Sequence, residues 1–418
     1  MSTFSKLAET LIGSEIVRLG NLINERVRAG ESIYNYTIGD FDSKYFPIPK
    51  GLETEIKAAY DEGYTSYPPA DGVGSLRTSV SAFLKEHYDI DYSENEIQIA
   101  SGGRPLIYSI FKTLVDPGDK VIYAVPSWNN NHYVHMNNGE HCVIPATPEN
   151  AFMPLPEDIA PHVSGASLLC LCTPQNPTGT TLNKASLEAI CDLVLAENAS
   201  RGADEKKLYV MFDQMYGTLT YGNTVHYNPV ALRPEMKAYT VFVDGISKCF
   251  AATGVRVGWS FGPAPLIAKI KALLTHIGAW APMAEQVATA RFLSDSAAVN
   301  TYIDWIKGAL EARLRAIYQG MIDLKAEGHP VDAIAPQAAL YLTIKFDLVG
   351  KTGAAGELKT QEDVTHYLLS EARLAVVPFY AFGADKTSPW YRLSVGTCDV
   401  EGIPAMLDQL KAALVKLS

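Results

Sequence analysis

The chain reads as an α/β protein: a large unit with a mostly parallel seven-stranded sheet between helices, and a smaller α+β unit drawn from both termini. Two observations predict this. From residue 96 to 261, seven short apolar runs alternate with helical patterns, the mark of a sheet covered on both faces. From about residue 284 the rhythm changes to a long polar–apolar helical stretch, then strands, then a final helix.

The strands are expected at 96–100, 120–125, 141–145, 167–172, 208–213 and 240–244, with 256–261 as the last. Helical patterns lie between most of them, notably at 104–115, 184–197 and 265–277. Ligands in such sheets bind beyond the carboxyl ends of the strands. The smaller unit follows as a helical stretch over 284–327, strands at 339–346, 374–377 and 391–395, and a helix at 403–417. A helix at 14–29 joins it, and Gly353-Ala-Ala-Gly-Glu reads as a flexible loop. The expected partition is 1–48 (N-terminal segment of the small unit), 49–295 (large, cofactor-binding) and 296–418 (small).

A chain of 418 residues is long enough for a large core plus a second domain. Its net charge of −11 with interspersed signs argues against nucleic acid or an anionic membrane as partner. Six scattered cysteines fit thiols in a reducing compartment, and Cys170-Leu-Cys172 is not metal spacing. No basic-then-apolar leader and no spanning apolar stretch is visible, so the cytoplasm is the expected location.

Four segments carry chemistry. Lys248 follows the apolar run 240–243, lies among small residues and has Arg256 eight positions on. Desolvation beside another cation lowers a lysine pKa and frees an amine able to form an imine with a carbonyl. Gly102-Gly103-Arg104-Pro105 joins a strand to a helix, where backbone N–H groups can approach a phosphate. Asn176 stands between two prolines at a strand's carboxyl end, as a held amide. Asp213 ends another buried strand, where a carboxylate needs a cationic partner unless it merely caps the next helix.

Together these ask for a flat, phosphorylated, protonated heterocycle bearing an aldehyde, which pyridoxal 5′-phosphate satisfies. Lys248 forms the imine and Asp213 keeps the ring nitrogen protonated, so that the ring accepts carbanion density. Asn176 and Tyr216 hydrogen-bond the ring hydroxyl, while Arg256, Gly102, Gly103 and Arg104 hold the phosphate.

The ordered set Gly-rich turn, Asn-Pro-Thr-Gly, Asp-x-x-Tyr, Ser-Lys and Arg-x-Ser resembles the aspartate aminotransferase family, fold-type-I pyridoxal phosphate enzymes of classes I and II, over nearly the whole chain. The resemblance implies further roles. Trp128 stacks on the cofactor ring, and Tyr67 reaches the neighbouring subunit's phosphate, hence a homodimer with shared sites. Arg392 grips the substrate α-carboxylate, and Gly39 lies where backbone closes over it. Two departures stand out. Gly245 replaces a phosphate-binding serine common in relatives, leaving Ser247 or backbone to substitute. The segment Val377-Pro-Phe-Tyr-Ala-Phe-Gly383 is bulkier than usual, which leaves pocket size open.

The resemblance implies transamination between an amino acid and a 2-oxo acid, with Lys248, Asp213 and Tyr216 at the chemistry. Arg104 either meets a distal carboxylate or supports the phosphate. The first choice predicts aspartate or glutamate as donor and 2-oxoglutarate as acceptor. Rival readings are an aromatic or alanine-type aminotransferase walled by Phe379, Tyr380 and Phe382, and a carbon–sulfur β-lyase. A non-catalytic sensor is disfavoured by the intact Lys248, Asp213 and Arg392.

Overall fold

The computed structural model describes residues 3–11, 13 and 15–418. Its main sheet has seven strands: β1 (Ile97–Ala100), β2 (Lys120–Val125), β3 (Glu140–Pro145), β4 (Ala166–Cys172), β5 (Tyr209–Asp213), β6 (Thr240–Gly245) and β7 (Gly258–Phe261). Their order across the sheet is β1-β7-β6-β5-β4-β2-β3. Only β7 runs antiparallel to its neighbours. Helices cover both faces, so β4 and β6 are buried almost throughout and read as unbroken apolar runs.

The register decides where chemistry can gather. Cys172 lies opposite Asp213, and Asp213 opposite Val243, so the carboxyl ends of β4, β5 and β6 form one ledge. Helix α1 (Gly103–Leu114) starts just beyond β1 and points its N-terminus at that ledge.

A second, four-stranded antiparallel sheet holds β8 (Val331–Ala333), β9 (Tyr341–Phe346), β10 (Val377–Pro378) and β11 (Trp390–Ser394), in the order β10-β11-β9-β8. Tyr36 and Phe46 from the start of the chain pack into the same apolar cluster as Leu342, Ile344 and Leu393 of this sheet.

Several expectations need correction. The helical stretch over 284–327 is two helices, Met283–Leu293 and Ser296–Ala326. Asp295 breaks it, because its side chain accepts the Ala298 N–H at 3.0 Å and caps the second helix. The strand expected at 374–377 is split. Leu374–Ala375 pairs in parallel with Tyr34–Asn35, whereas Val377–Pro378 pairs with β11. Gly353-Ala-Ala-Gly-Glu is a small hairpin, Thr352–Gly353 against Gly356–Glu357, turned through Gly356 at φ 116°. The last large-sheet strand begins at Gly258, since Arg256 adopts φ 64° in the turn before it. The N-terminal helix runs Glu15–Arg28, and Ser14 lies outside the described residues. Helices Lys50–Asp61 and Gly74–Tyr88 and strand β8 were not foreseen. Among the described residues no helix is long and apolar enough to cross a membrane.

Candidate active site

A cleft of about 750 Å³ opens at the ledge, and Lys248, Asp213, Asn176, Tyr216, Arg256, Arg392, Arg104, Trp128, Ser247, Gly39 and Gly103 all line it. Residues as far apart in sequence as Gly39 and Arg392 therefore meet in one hollow.

Lys248 sits on a single helical turn, Ile246–Cys249, directly after β6. Its Nζ donates to the Gly39 carbonyl at 2.6 Å. Burial lowers its pKa to about 8; Asp40 opposes the shift, and Arg392, Arg104 and Arg256 add to it. A minor but substantial fraction of the amine is thus in the neutral, nucleophilic form near physiological pH.

Asp213 closes β5 and accepts the Met215 N–H at 3.1 Å. Among the described residues it forms no ion pair, and burial pushes its pKa up to about 6. The next buried acid, Asp244, is answered within the protein by the Gly245 N–H at 2.7 Å and Gln214 Nε2 at 3.3 Å, and it does not line the cleft. Asp213 faces the cleft with one backbone N–H as its partner and no cation among the described residues.

Arg392 leaves β11 and is 2% exposed. One Nη donates to Asn176 Oδ1 at 3.0 Å and the other to the Thr37 carbonyl at 2.6 Å, while Nε finds no partner. The guanidinium lies between the rings of Tyr341 and Phe382, at 4.8 and 4.9 Å. No carboxylate pairs with it among the described residues, so a fully buried cation stands ready for an anion.

Arg256 donates to the Thr253 and Ser101 carbonyls at 2.5 and 2.9 Å. Gly102, at φ 87°, is required beneath it: a Cβ there would lie 2.2 Å from an Arg256 Nη. Gly245 also has its reason, since a Cβ would sit 2.8 Å from Gly258 Cα, so no serine fits at that position. Ser247 is buried at the cleft wall.

Tyr216 hydroxyl lies 2.8 Å from that of Tyr341, and both residues are buried. Arg104 is exposed at the mouth, its guanidinium 5.4 Å above the Trp128 ring. Tyr67 is not brought to this cleft: it is 86% exposed and edge-on to Trp280 at 5.4 Å.

Sequence reasoning gave no role to Thr37, Asp40, Thr253 or Tyr341. Asp40 accepts from Thr253 Oγ1 at 2.5 Å and lines the cleft beside Lys248. An acid directly after Gly39 was a readable signal; Tyr341 offered none, being one aromatic in an apolar strand.

The family model for aminotransferase class I and II matches residues 33–410. The chain belongs to that family. As an aminotransferase it is 26% identical to the aspartate aminotransferase of Geobacillus stearothermophilus, across 99% of this chain and 97% of the relative. It is 27% identical to a probable aspartate/prephenate aminotransferase of Rhizobium leguminosarum bv. phaseoli, across 92% of each. In fold it is similar to the crystal structure of the Rhizobium meliloti aspartate aminotransferase, with TM-score 0.89, 24% identity and full coverage of both chains.

Class I and II aminotransferases use pyridoxal phosphate. The residues of this aminotransferase fit that group. A half-buried acid with a raised pKa and no cationic partner among the described residues suits a protonated ring nitrogen, and a lysine with a lowered pKa suits an aldehyde. A glycine-floored hollow under Arg256 at a helix N-terminus suits a phosphate.

Proposed function

We propose that this aminotransferase moves the amino group of aspartate or glutamate to a 2-oxo acid, 2-oxoglutarate when aspartate is the donor, acting as a homodimer. The observation that carries the reading is Asp213, a cleft-lining acid with no cation among the described residues to balance it, in the same cleft as an amine whose pKa is lowered to about 8.

Pyridoxal phosphate, when bound, supplies an aldehyde that takes the amino group and a protonated ring that takes up electrons from Cα. Lys248 would hold the cofactor through its Nζ, and the same amine would move the substrate Cα proton. Asp213 keeps the ring nitrogen protonated. Tyr216 and Asn176 would hold the cofactor's ring hydroxyl, and Trp128 would pack against its ring. Arg256, Ser247 and the Gly102–Gly103 turn hold the phosphate. Arg392 takes the substrate α-carboxylate in the space beside Asn176, with Gly39 backbone over it. Tyr67, exposed on this chain, reaches the phosphate of a second copy.

Arg104 supports the choice of a dicarboxylic substrate. It is a full charge at the mouth, braced on Trp128 and without an acidic partner among the described residues. Relatives named for aspartate agree with that choice. Replacing Arg104 with leucine should raise KM for aspartate about tenfold or more and leave KM for alanine nearly unchanged; equal effects would remove the assignment. An aromatic donor is the second reading, favoured by Phe382, which packs 6.2 Å from the Trp128 ring. Steady-state rates with aspartate, tyrosine, alanine and cystathionine separate the readings. Loss of the bound cofactor's absorbance band on adding aspartate would support the first, and ammonia release from cystathionine would point to a lyase.

A further inference from the structure

We infer that Tyr341 is a positioning residue that joins the two halves of the site, its hydroxyl directing Tyr216 and its ring bracing Arg392. The inference rests on the roles proposed above for Tyr216 and Arg392.

The geometry gives Tyr341 three neighbours. Its hydroxyl is 2.8 Å from the Tyr216 hydroxyl, and the two rings meet edge-on at 5.6 Å. Its ring carries the Arg392 guanidinium at 4.8 Å. Its hydroxyl also abuts Gly39, where a Cβ would come within 2.8 Å of it. Tyr341 is 1% exposed and lines the cleft, on β9, which pairs with the Arg392 strand.

Between two phenols only one can donate along the shared line. If Tyr216 is to give its proton to the cofactor's ring hydroxyl oxygen, Tyr341 must be the donor to Tyr216. That bond polarises the Tyr216 O–H and fixes its rotor towards the cleft. The ring face is a separate device. Arg392 has hydrogen bonds from both Nη atoms but no counter-ion among the described residues, and the aromatic face supplies part of the missing negative charge while leaving the guanidinium open to a carboxylate.

Hydroxyl and ring can be removed separately. In the holoenzyme, release of pyridoxal phosphate into a trapping excess of a second apoprotein is followed by loss of the bound-cofactor absorbance, and KM for the amino acid is measured alongside. Tyr341→Phe should quicken release about fivefold and leave KM within about twofold, since the ring remains. Tyr216→Phe should quicken release at least as much, and the double variant should be no faster than Tyr216→Phe alone, because the first bond has nothing left to direct. Tyr341→Leu should in addition raise KM about tenfold. Multiplying effects in the double variant, or unchanged release in Tyr341→Phe, would overturn the hydroxyl role. An unchanged KM in Tyr341→Leu would overturn the ring role. Parent protein that takes up no pyridoxal phosphate would instead bring down the reading of the site, and this inference with it. A Tyr341→Leu protein that does not fold leaves the hydroxyl role to be decided by the Phe variants and the ring role by Tyr341→Trp, which should keep KM near the parent value if an aromatic face is what Arg392 needs.

Discussion

On one wall of the cleft, Asp213, Lys248 and Arg256 stand at or just past the ends of neighbouring large-sheet strands. On the other, Arg392 and Tyr341 come from the second sheet and meet Thr37 and Gly39 from the beginning of the chain. The first wall is placed by backbone register, so its groups are fixed before any side chain makes a contact. The second is placed by side-chain bonds: Arg392 to Asn176, Arg392 to Thr37, Lys248 to Gly39 and Thr253 to Asp40. One wall is a ledge of the scaffold, and the other is a net tied across it. Substitutions should therefore strip chemistry from the first wall and loosen binding on the second.

The largest effect is expected at Lys248. Lys248→Ala should lower kcat by at least about 10⁴-fold, measured as aspartate-to-2-oxoglutarate turnover, and an active variant would end the contrast. Asp213→Ala should lower kcat by about 10³-fold, with KM for the amino acid little changed, as befits a group on the fixed wall. Arg392→Leu should show the opposite pattern, with kcat/KM down about 10²- to 10³-fold largely through KM. Arg392→Lys should recover only part of this, because an ammonium cannot keep both the Asn176 and Thr37 bonds in one plane.

A smaller effect separates the walls by pH. In cofactor-free protein, uptake of pyridoxal phosphate should quicken as pH rises through about 8, where Lys248 loses its proton. Asp213 supplies the smallest effect. Its carboxyl has a folded pKa raised from 3.8 to about 6, so it is stability-neutral below the lower value, increasingly destabilising between the two as the unfolded chain ionises first, and fully destabilising above about 6. Asp213→Asn should thus raise Tm of the cofactor-free protein by about 2 °C at pH 8 and by less at pH 5. A variant that melts lower at pH 8 would show that the acid is balanced inside the protein after all.

The two walls also differ in how far the sequence discloses them. The run Val121-Ile-Tyr-Ala-Val125 is apolar from end to end, and the strand it forms spans Lys120–Val125 as expected. Because strand ends coincide with Asp213 and closely precede Lys248, the fixed wall was legible from local pattern alone. Arg392 was legible only through its motif, since its partner Thr37 contributes a backbone carbonyl that every residue possesses. Tyr341 looked like any strand aromatic, and its hydroxyl contact with Tyr216 spans 125 positions. The helix break at Asp295 was hidden for a different reason. The apolar periodicity runs on through it, and only the cap chemistry of Asp295 marks the stop. Tyr67 stands apart from both walls, with nothing in its own chain's cleft to hold it.

Arg392 ties together points 216 and 355 residues upstream of itself. During synthesis the strands of the large sheet, which end at Phe261, leave the ribosome well before Arg392, so the ledge precedes the side-chain bonds tied across it. Until that arginine is made, Asn176 Oδ1 and the Thr37 carbonyl lack the guanidinium that bridges them.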